Sequence, residues 1–201
     1  MTSEVSIANR ALQLLGTDSI ISLADDTNRA RTMALAYEPV RDAELTRYRW
    51  RFTLARAQLP ALTTAPLFEY AYQYQVPNDM LRLIEGGDLT TSADLSDYRS
   101  GASALYSVEG DKILTHIGAP LSIRYIAKIT DASLFAPDFA EALSARLADE
   151  CCERLTQSDS KRQICMEAYK RAIREARRSN AIQVASQSAA DDTWIIGRVT
   201  D

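Results

Sequence analysis

Residues 27–59, TNRARTMALAYEPVRDAELTRYRWRFTLARAQL, contain the change of pattern that decides the fold. Up to Tyr48 the apolar residues recur about every 3.6 positions, which is typical of an amphipathic helix. From Trp50 onward apolar and polar residues alternate, as they do in a half-buried strand. The sequence therefore predicts a helix over residues 27–49 that leads directly into a strand containing Phe52.

Two features of the N-terminal helices can be predicted from single residues. Because proline lacks an N–H and its ring clashes one turn back, Pro39 should kink the helix over 27–49 or split it, and we expect a kink. Residues 3–15 form a shorter amphipathic pattern. Ser3 is placed to cap this helix, and Gly16 suits the left-handed position that ends it.

The middle of the chain predicts antiparallel strands. The tyrosines Tyr70, Tyr72 and Tyr74 occupy every second position, so we expect them to share one face of a strand. A packed strand face explains this row better than a base-stacking surface. Residues 105–116 predict a hairpin, and residues 121–129 a last strand. Residues 85–104 are rich in Gly, Ser, Thr and Asp and predict a loop.

Helical periodicity returns after residue 134. Pro137 suits a first helical turn, and Phe139, Leu143, Leu147 and Cys151 follow at steps of four. A second helix is predicted over residues 160–184. The following residues are expected on its buried side: Ile164, Cys165, Ala168, Tyr169, Ala172, Ile173 and Ala176. We interpret Cys151, Cys152 and Cys165 as reduced thiols on these helices.

The order of elements is helices, strands, helices and a tail, which favours an α+β class. We expect an antiparallel helical bundle from the N- and C-terminal helices, with an inserted antiparallel β-sheet domain and an extended C-terminal arm. The predicted divisions are residues 1–50 with 135–185 for the helical part, 51–134 for the β-rich insertion and 186–201 for the arm.

Composition excludes several classes of function. The 201 residues carry 23 Lys and Arg against 27 Asp and Glu, a net charge of −4, which argues against a dedicated duplex-DNA reader. The single His excludes a site with two imidazoles, and no phosphate-binding loop, nucleophile elbow or metal-ligand spacing is present. His116 is a weak candidate for a general base. We therefore expect no enzyme activity, no cofactor or metal, and no membrane segment.

Charge is unevenly distributed along the chain. The segment from Lys161 to Arg178 contains seven basic residues and two acidic ones. The basic residues include Lys170, Arg171, Arg174 and Arg177. Residues 85–111 are acidic instead, with Glu85, Asp88, Asp94, Asp97, Glu109 and Asp111 against Arg99. Unlike patches on one chain suit a head-to-tail ring of identical subunits. Alternatively, the basic face of this helix is simply solvated, or it binds the phosphates of a nucleic acid.

The tail carries one apolar group, Trp194, Ile195 and Ile196, followed by Arg198. The residues that precede it, 186–192, have the composition of a linker. We expect the apolar group either to fold back on the chain's own core or to dock in a partner's groove, and we favour the partner.

Motifs along most of the chain resemble one family, the tail tubular protein A-like head-to-tail adaptors of short-tailed bacteriophages. The resemblance rests on the following stretches: Ile7 to Leu12, Leu15-Gly16, Ile20 with Ser22-Leu23, Arg41 to Leu45, Trp50 to Phe52, Arg56-Ala57, Tyr70 to Leu83, and Trp194 with Arg198. Each motif is weak alone, but their order and spacing are fairly specific. Residues 85–115 contribute nothing to the resemblance.

The resemblance implies a structural protein of the virion, assembled in the host cytoplasm. Such adaptors form a twelvefold ring between the portal protein and the tail nozzle protein, and they extend a channel through which DNA passes without sequence-specific binding. It implies that Trp194, Ile195, Ile196 and Arg198 contact the portal. The basic row of Lys170, Arg171, Arg174, Arg177 and Arg178 would face a neighbouring subunit or the channel, and Tyr70, Tyr72 and Tyr74 would pack the β domain or contact the tail.

Two other functions stay open from the sequence. An adaptor or head-completion protein of a long-tailed phage can share this helical plan. A nucleic-acid-binding module would instead use the basic helix 161–178 to bind phosphates. The sequence does not separate ring formation in solution from ring formation on a portal.

Overall fold

Helices at the two ends of the described chain enclose a run of strands. The computed structural model describes residues 2–84 and 106–183, and there the predicted α+β class is confirmed. The helices are α1 (Glu4–Leu15), α2 (Asn28–Arg47), α3 (Pro137–Thr156) and α4 (Asp159–Ile182). The strands are β1 (Leu54–Leu59), β2 (Tyr72–Gln75), β3 (Met80–Ile84), β4 (Tyr106–Glu109), β5 (Lys112–Thr115) and β6 (Leu121–Ala127).

Both predicted ends of α1 are confirmed. The Ser3 hydroxyl accepts a hydrogen bond from the Ser6 N–H at 3.1 Å, and the Ser6 hydroxyl accepts one from the Ser3 N–H at 2.8 Å. Gly16 ends the helix with φ 68°, a conformation that a residue with a Cβ adopts only with strain. The Leu15 carbonyl accepts from the Lys161 ammonium at 2.6 Å, so a side chain of α4 satisfies the end of α1.

Helix α2 runs without interruption through Pro39. Splitting into two helices, one of the two predicted outcomes, is therefore wrong. Pro39 is exposed, so water can hydrate the carbonyl group that its missing N–H leaves free. The Thr27 hydroxyl caps the helix by accepting from the Ala30 N–H at 3.2 Å.

Helix α3 is the centre of the helical core and packs against the other three helices. Phe139, Leu143, Leu147 and Cys151 are buried, which confirms the predicted spacing. Trp50 and Phe52 extend this core, because the centroids of their rings lie 5.0 and 5.1 Å from that of Phe139. Close edge-to-face packing of this kind fixes the chain where α2 passes into the β part.

The strands form two separate three-stranded antiparallel sheets. In the first, β6 lies between β1 and β3; in the second, β5 lies between β2 and β4. The predicted hairpin is confirmed: Glu109 of β4 pairs with Lys112 of β5 across a turn in which Gly110 has φ 59°. The predicted last strand is also confirmed, as the central strand β6.

Two predictions about the strands are wrong in detail. Phe52 lies in a short 3₁₀ turn, Arg51–Thr53, where the Trp50 carbonyl accepts from the Thr53 hydroxyl at 2.9 Å, so β1 begins only at Leu54. Tyr70 lies outside any strand. Glu69 has φ 72°, and the Tyr70 N–H donates to the Phe68 carbonyl at 2.9 Å, so the chain turns just before β2.

Polar contacts join the helical part to the β part at two points. The Lys128 ammonium, just after β6, lies 2.8 Å from a Glu38 carboxylate oxygen and 2.9 Å from one of Asp42, both on α2. Asn180 of α4 accepts from the Arg51 N–H at 2.8 Å and donates to the Arg49 carbonyl at 3.0 Å. These contacts fix the junction at both ends of the inserted strands.

Candidate interaction surface

The outward side of α4 carries a row of four basic residues. Cys165, Ile173 and Ala176 are buried against the rest of the helical core. Because a helix turns 100° per residue, the opposite side faces solvent. That side presents the exposed residues Lys170, Arg171, Arg174 and Arg178, which we call the basic row. Ile164, predicted on the buried side, is 64% exposed, which makes that prediction wrong.

The other three basic residues of this helix have partners within the chain. Lys161 donates to the end of α1, and Arg162 lies 3.4 Å from a Glu153 carboxylate oxygen. Arg177 is half-buried, with its guanidinium 5.3 Å from the centroid of the Tyr48 ring. Of the five residues predicted to face a neighbouring subunit or the channel, Arg177 is therefore the least accessible.

No member of the basic row forms a salt bridge with a residue in the described ranges 2–84 and 106–183. Glu167 and Glu175, exposed on the same helix, do not pair with it either. The Arg174 Nε instead donates to the Lys170 carbonyl at 3.0 Å. Cations close together on one helix face produce a local positive potential that favours an anionic partner.

The acidic patch predicted as a complement lies mostly outside the described residues. Glu109 and Asp111 are described, and both have local partners. Glu109 accepts from the Ser107 hydroxyl at 3.1 Å, and Asp111 from the Gln75 amide at 3.2 Å. The remaining members, Glu85, Asp88, Asp94 and Asp97, lie outside the described ranges, as do Trp194, Ile195, Ile196 and Arg198 of the arm.

Tyr72 and Tyr74 lie at alternate positions of β2 and share a face, as predicted, but Tyr70 lies before the strand. Tyr74 is fully buried and donates its hydroxyl to the Ile117 carbonyl at 2.7 Å, whereas Tyr72 is exposed. Tyr70, before the strand, packs its ring 5.3 Å from that of His116. This contact gives His116 a packing role at the end of β5, and no hydrogen bond to an acidic residue appears for it in the described chain.

The cysteines are free, as predicted, and all three are buried. Burial raises the pKa of Cys151 to about 11 and that of Cys165 to about 11. Thiols with such pKa values stay protonated and unreactive at neutral pH. In the part of the chain that the structure describes, no group of three His, Cys, Asp or Glu residues is placed to hold a metal ion.

A buried charged cluster on α2 escaped the sequence reasoning. Glu44, with its side chain 2% exposed, accepts from the Tyr169 hydroxyl at 2.9 Å and from Arg47 at 2.8 Å. Burial and the Glu44 carboxylate together raise the pKa of Tyr169. Arg41 is also buried, 2.9 Å from an Asp42 oxygen. Arg41 and Glu44 both lie on the apolar face of α2. A charged residue on that face is the sequence feature that indicates a buried charge.

A small pocket with aromatic and polar lining residues was also not predicted from the sequence. It lies between the C-terminal end of α4 and the N-terminal end of α3 and has a volume of about 140 Å³. Its walls include the aromatic side chains of Trp50, Phe52, Phe135 and Phe139. Aromatic residues at 50, 52, 135 and 139 suggest a shared core, but only the fold shows that they leave an opening beside α4.

The chain matches no protein-family model, and no curated protein is significantly similar to it. None of the described helices is long and apolar enough to cross a membrane.

Proposed function

We propose that this chain is a structural virion protein, a head-to-tail adaptor that forms a twelvefold ring between a portal and a tail nozzle and extends the DNA channel. The motifs quoted above, which resemble the tail tubular protein A-like adaptors, motivate the proposal. The observation that carries it in the structure is the basic row: four exposed cations on one helix with no acidic partner in the described chain.

The basic row suits contact between subunits for an electrostatic reason. A cation gains little from a solvated pair on its own surface, but complementary patches on two copies steer them together and fix their relative register. In a ring each subunit presents one surface to the next copy and a different surface to the previous one. The basic row would then meet an acidic surface of the neighbouring subunit or line the channel.

Ring formation is tested by light scattering of the purified chain, alone and with purified portal rings. The chain alone is expected near the subunit mass of 22.3 kDa, with a ring appearing on the portal. Exchanging both Arg171 and Arg174 for Glu should abolish the ring. The matched control is Arg154→Glu, since Arg154 is exposed on α3 and forms no salt bridge in the described chain. A ring that forms equally well in all three proteins would contradict a role for the basic row.

Portal contact by Trp194, Ile195, Ile196 and Arg198 is a separate part of the proposal. The chain lacking residues 186–201 should not attach to heads that contain a portal. Attachment at the wild-type level would rule out this role for the arm.

The same unpaired cations favour a second candidate function, phosphate binding by a nucleic-acid module. Four phosphate contacts would give a slope of about −3.6 for the logarithm of the duplex-DNA binding constant against the logarithm of salt concentration. Fluorescence anisotropy with a labelled duplex measures that slope. The adaptor proposal expects weak binding or none, because a channel wall must let DNA slide.

A further inference from the structure

The pocket at the C-terminal end of α4 lies where the described chain ends. Gln183, the last described residue, is one of its lining residues. Leu134 also lines it and is 58% exposed, so the pocket opens to solvent. An open pocket with aromatic walls favours an apolar occupant, because each apolar surface removed from water is stabilising.

The size of the pocket limits what can enter. Its volume of about 140 Å³ resembles that of an engineered apolar cavity of about 150 Å³ that binds benzene. One aromatic ring or one branched aliphatic side chain therefore fits inside, so the indole of a tryptophan would enter with one of its two rings and leave the other at the open side. Rings already packed around Phe139, at centroid distances of 5.0 to 5.2 Å, would offer edge-to-face contacts to a further aromatic ring.

The chain itself supplies such a side chain a short distance onward. Trp194 follows Gln183 after ten intervening residues and is followed by Ile195 and Ile196. Fully extended, this linker spans about 35 Å, and a flexible linker of this length averages about 18 Å between its ends. Because the linker starts at the pocket, Trp194 can reach the pocket without the linker being extended.

One of the charges near Trp194 has an opposite charge in the pocket lining. Asp191 and Asp192 precede it, and Arg198 follows it. Arg177 of α4 is not a lining residue, and its guanidinium packs over the Tyr48 ring. On the α3 side, the pocket is lined by Asp138, which is exposed and forms no salt bridge with a described residue.

We propose that in the free chain Trp194 docks in this pocket of its own chain, with Arg198 toward Asp138. A connection of ten residues gives the anchor an effective concentration on the order of millimolar, so a peptide affinity of about 0.1 mM would keep it docked in roughly a tenfold excess. A second copy would have to reach that concentration in solution to compete.

Docking in the free chain and contact with a portal are separate events. Under the proposed function, the anchor would leave the pocket when the portal binds it. All measurements below use the chain without a portal, so their failure does not bear on the adaptor proposal. Equally, failure of portal attachment leaves the docked anchor unaffected.

Solvent exposure of Trp194 gives the first test. The full chain is labelled with 5-fluorotryptophan, and Trp194→Phe assigns its fluorine resonance. Broadening of that resonance by a soluble gadolinium chelate should be roughly tenfold weaker than in the isolated peptide 186–201. Leu134→Glu, at the exposed edge of the pocket, should restore broadening. The matched control is Leu35→Glu, which changes a leucine that is 69% exposed on α2. It should not restore broadening. Equal broadening in the chain and in the peptide would overturn the proposal.

A disulfide trap gives the second test and identifies the occupant. Ser179→Cys, in the pocket wall, is combined with Thr193→Cys, beside the anchor. Mild oxidation should link the two positions within one chain, as mass spectrometry of the cleaved protein would show. The control pairs Ser160→Cys, exposed in the first turn of α4, with Thr193→Cys and should link at least tenfold more slowly. A link between two chains, or equal rates for the two pairs, would overturn docking within one chain.

Discussion

The helical part and the β part of this chain are stabilised in different ways. The helical core contains 25 buried apolar residues, built around α3, and it also encloses the charges of Arg41 and Glu44. The described residues of the β part divide their strands between two small sheets, with a core of seven buried residues. A large core can accommodate buried charge because many apolar contacts offset the cost of removing charge from water. A small core has too few apolar contacts to offset that cost.

The largest expected effect tests how much the helical core contributes to the free energy of unfolding. Phe139→Ala should lower the free energy of unfolding by about 3–5 kcal/mol, because it removes a buried ring that contacts three others. Urea unfolding followed by circular dichroism measures the change. Phe68→Ala is the matched control, since Phe68 is exposed, and should change the free energy by less than about 0.5 kcal/mol. Similar losses in both variants would show that this core does not dominate stability.

A second prediction uses pH to probe the interior of the helical core. Burial raises the folded-state pKa of Cys151 to about 11 from 9.0. Above pH 9 the unfolded chain loses this proton while the folded chain keeps it, so stability falls as pH rises toward 11. The expected loss between pH 8 and pH 10.5 is about 2 kcal/mol from this thiol.

Urea unfolding at the two pH values measures the loss. Cys151→Ala should reduce the pH-dependent part of the free energy by that amount, whatever its effect at pH 8. An unchanged pH dependence in this variant would contradict burial of the thiol as the cause.

The third prediction concerns the charge that the helical core encloses. Glu44→Gln should destabilise the chain by about 2 kcal/mol, because it removes the charged partner of Arg47 and weakens the bond from Tyr169. Arg47 is itself 46% exposed, so water limits the loss. The control Glu153→Gln breaks a solvated pair with Arg162 and should cost less than about 0.5 kcal/mol. Chemical denaturation at pH 7 measures both, and equal effects would argue against a buried charge.

The smallest prediction belongs to the β part. Tyr125→Phe removes a hydroxyl that donates to Asp79 at 3.1 Å and should cost about 1 kcal/mol. Tyr72→Phe, at an exposed position of β2, should have no measurable effect. Thermal unfolding of the two variants measures both changes in stability. A larger loss for Tyr125→Phe than for Glu44→Gln would reverse the comparison between the two parts.

The helical part was predictable because its signals are local. Ser3, Gly16 and Pro137 act within a few residues of their own positions, and α1 and α3 follow them closely. The register of the sheets depends instead on distant partners, such as Leu54 opposite Ile126. Sequence alternation predicted a strand through Tyr70, but the turn at Glu69 has no sequence signal.

The same distinction limits what the sequence says about the candidate surface. Seven basic residues on α4 are alike in sequence, yet Lys161 and Arg177 are engaged by groups that come from α1 and from the residues after α2. Only the fold separates them from the basic row. The pocket beside Gln183 was unpredictable for the same reason, because its walls come from three separate stretches of the chain.

The link between Leu15 and Lys161 has a consequence for biosynthesis. The carbonyl end of the first helix is satisfied by a residue 146 positions later, and α1 packs on α3 rather than mainly on α2. A ribosome that adds about 5–20 residues per second reaches Phe139 roughly 6 to 25 s after Leu15. During that interval the apolar face of α1 has been translated but the helix that covers it has not. The nascent chain therefore exposes this face until α3 has been translated, and a chaperone that holds it open would act on α1.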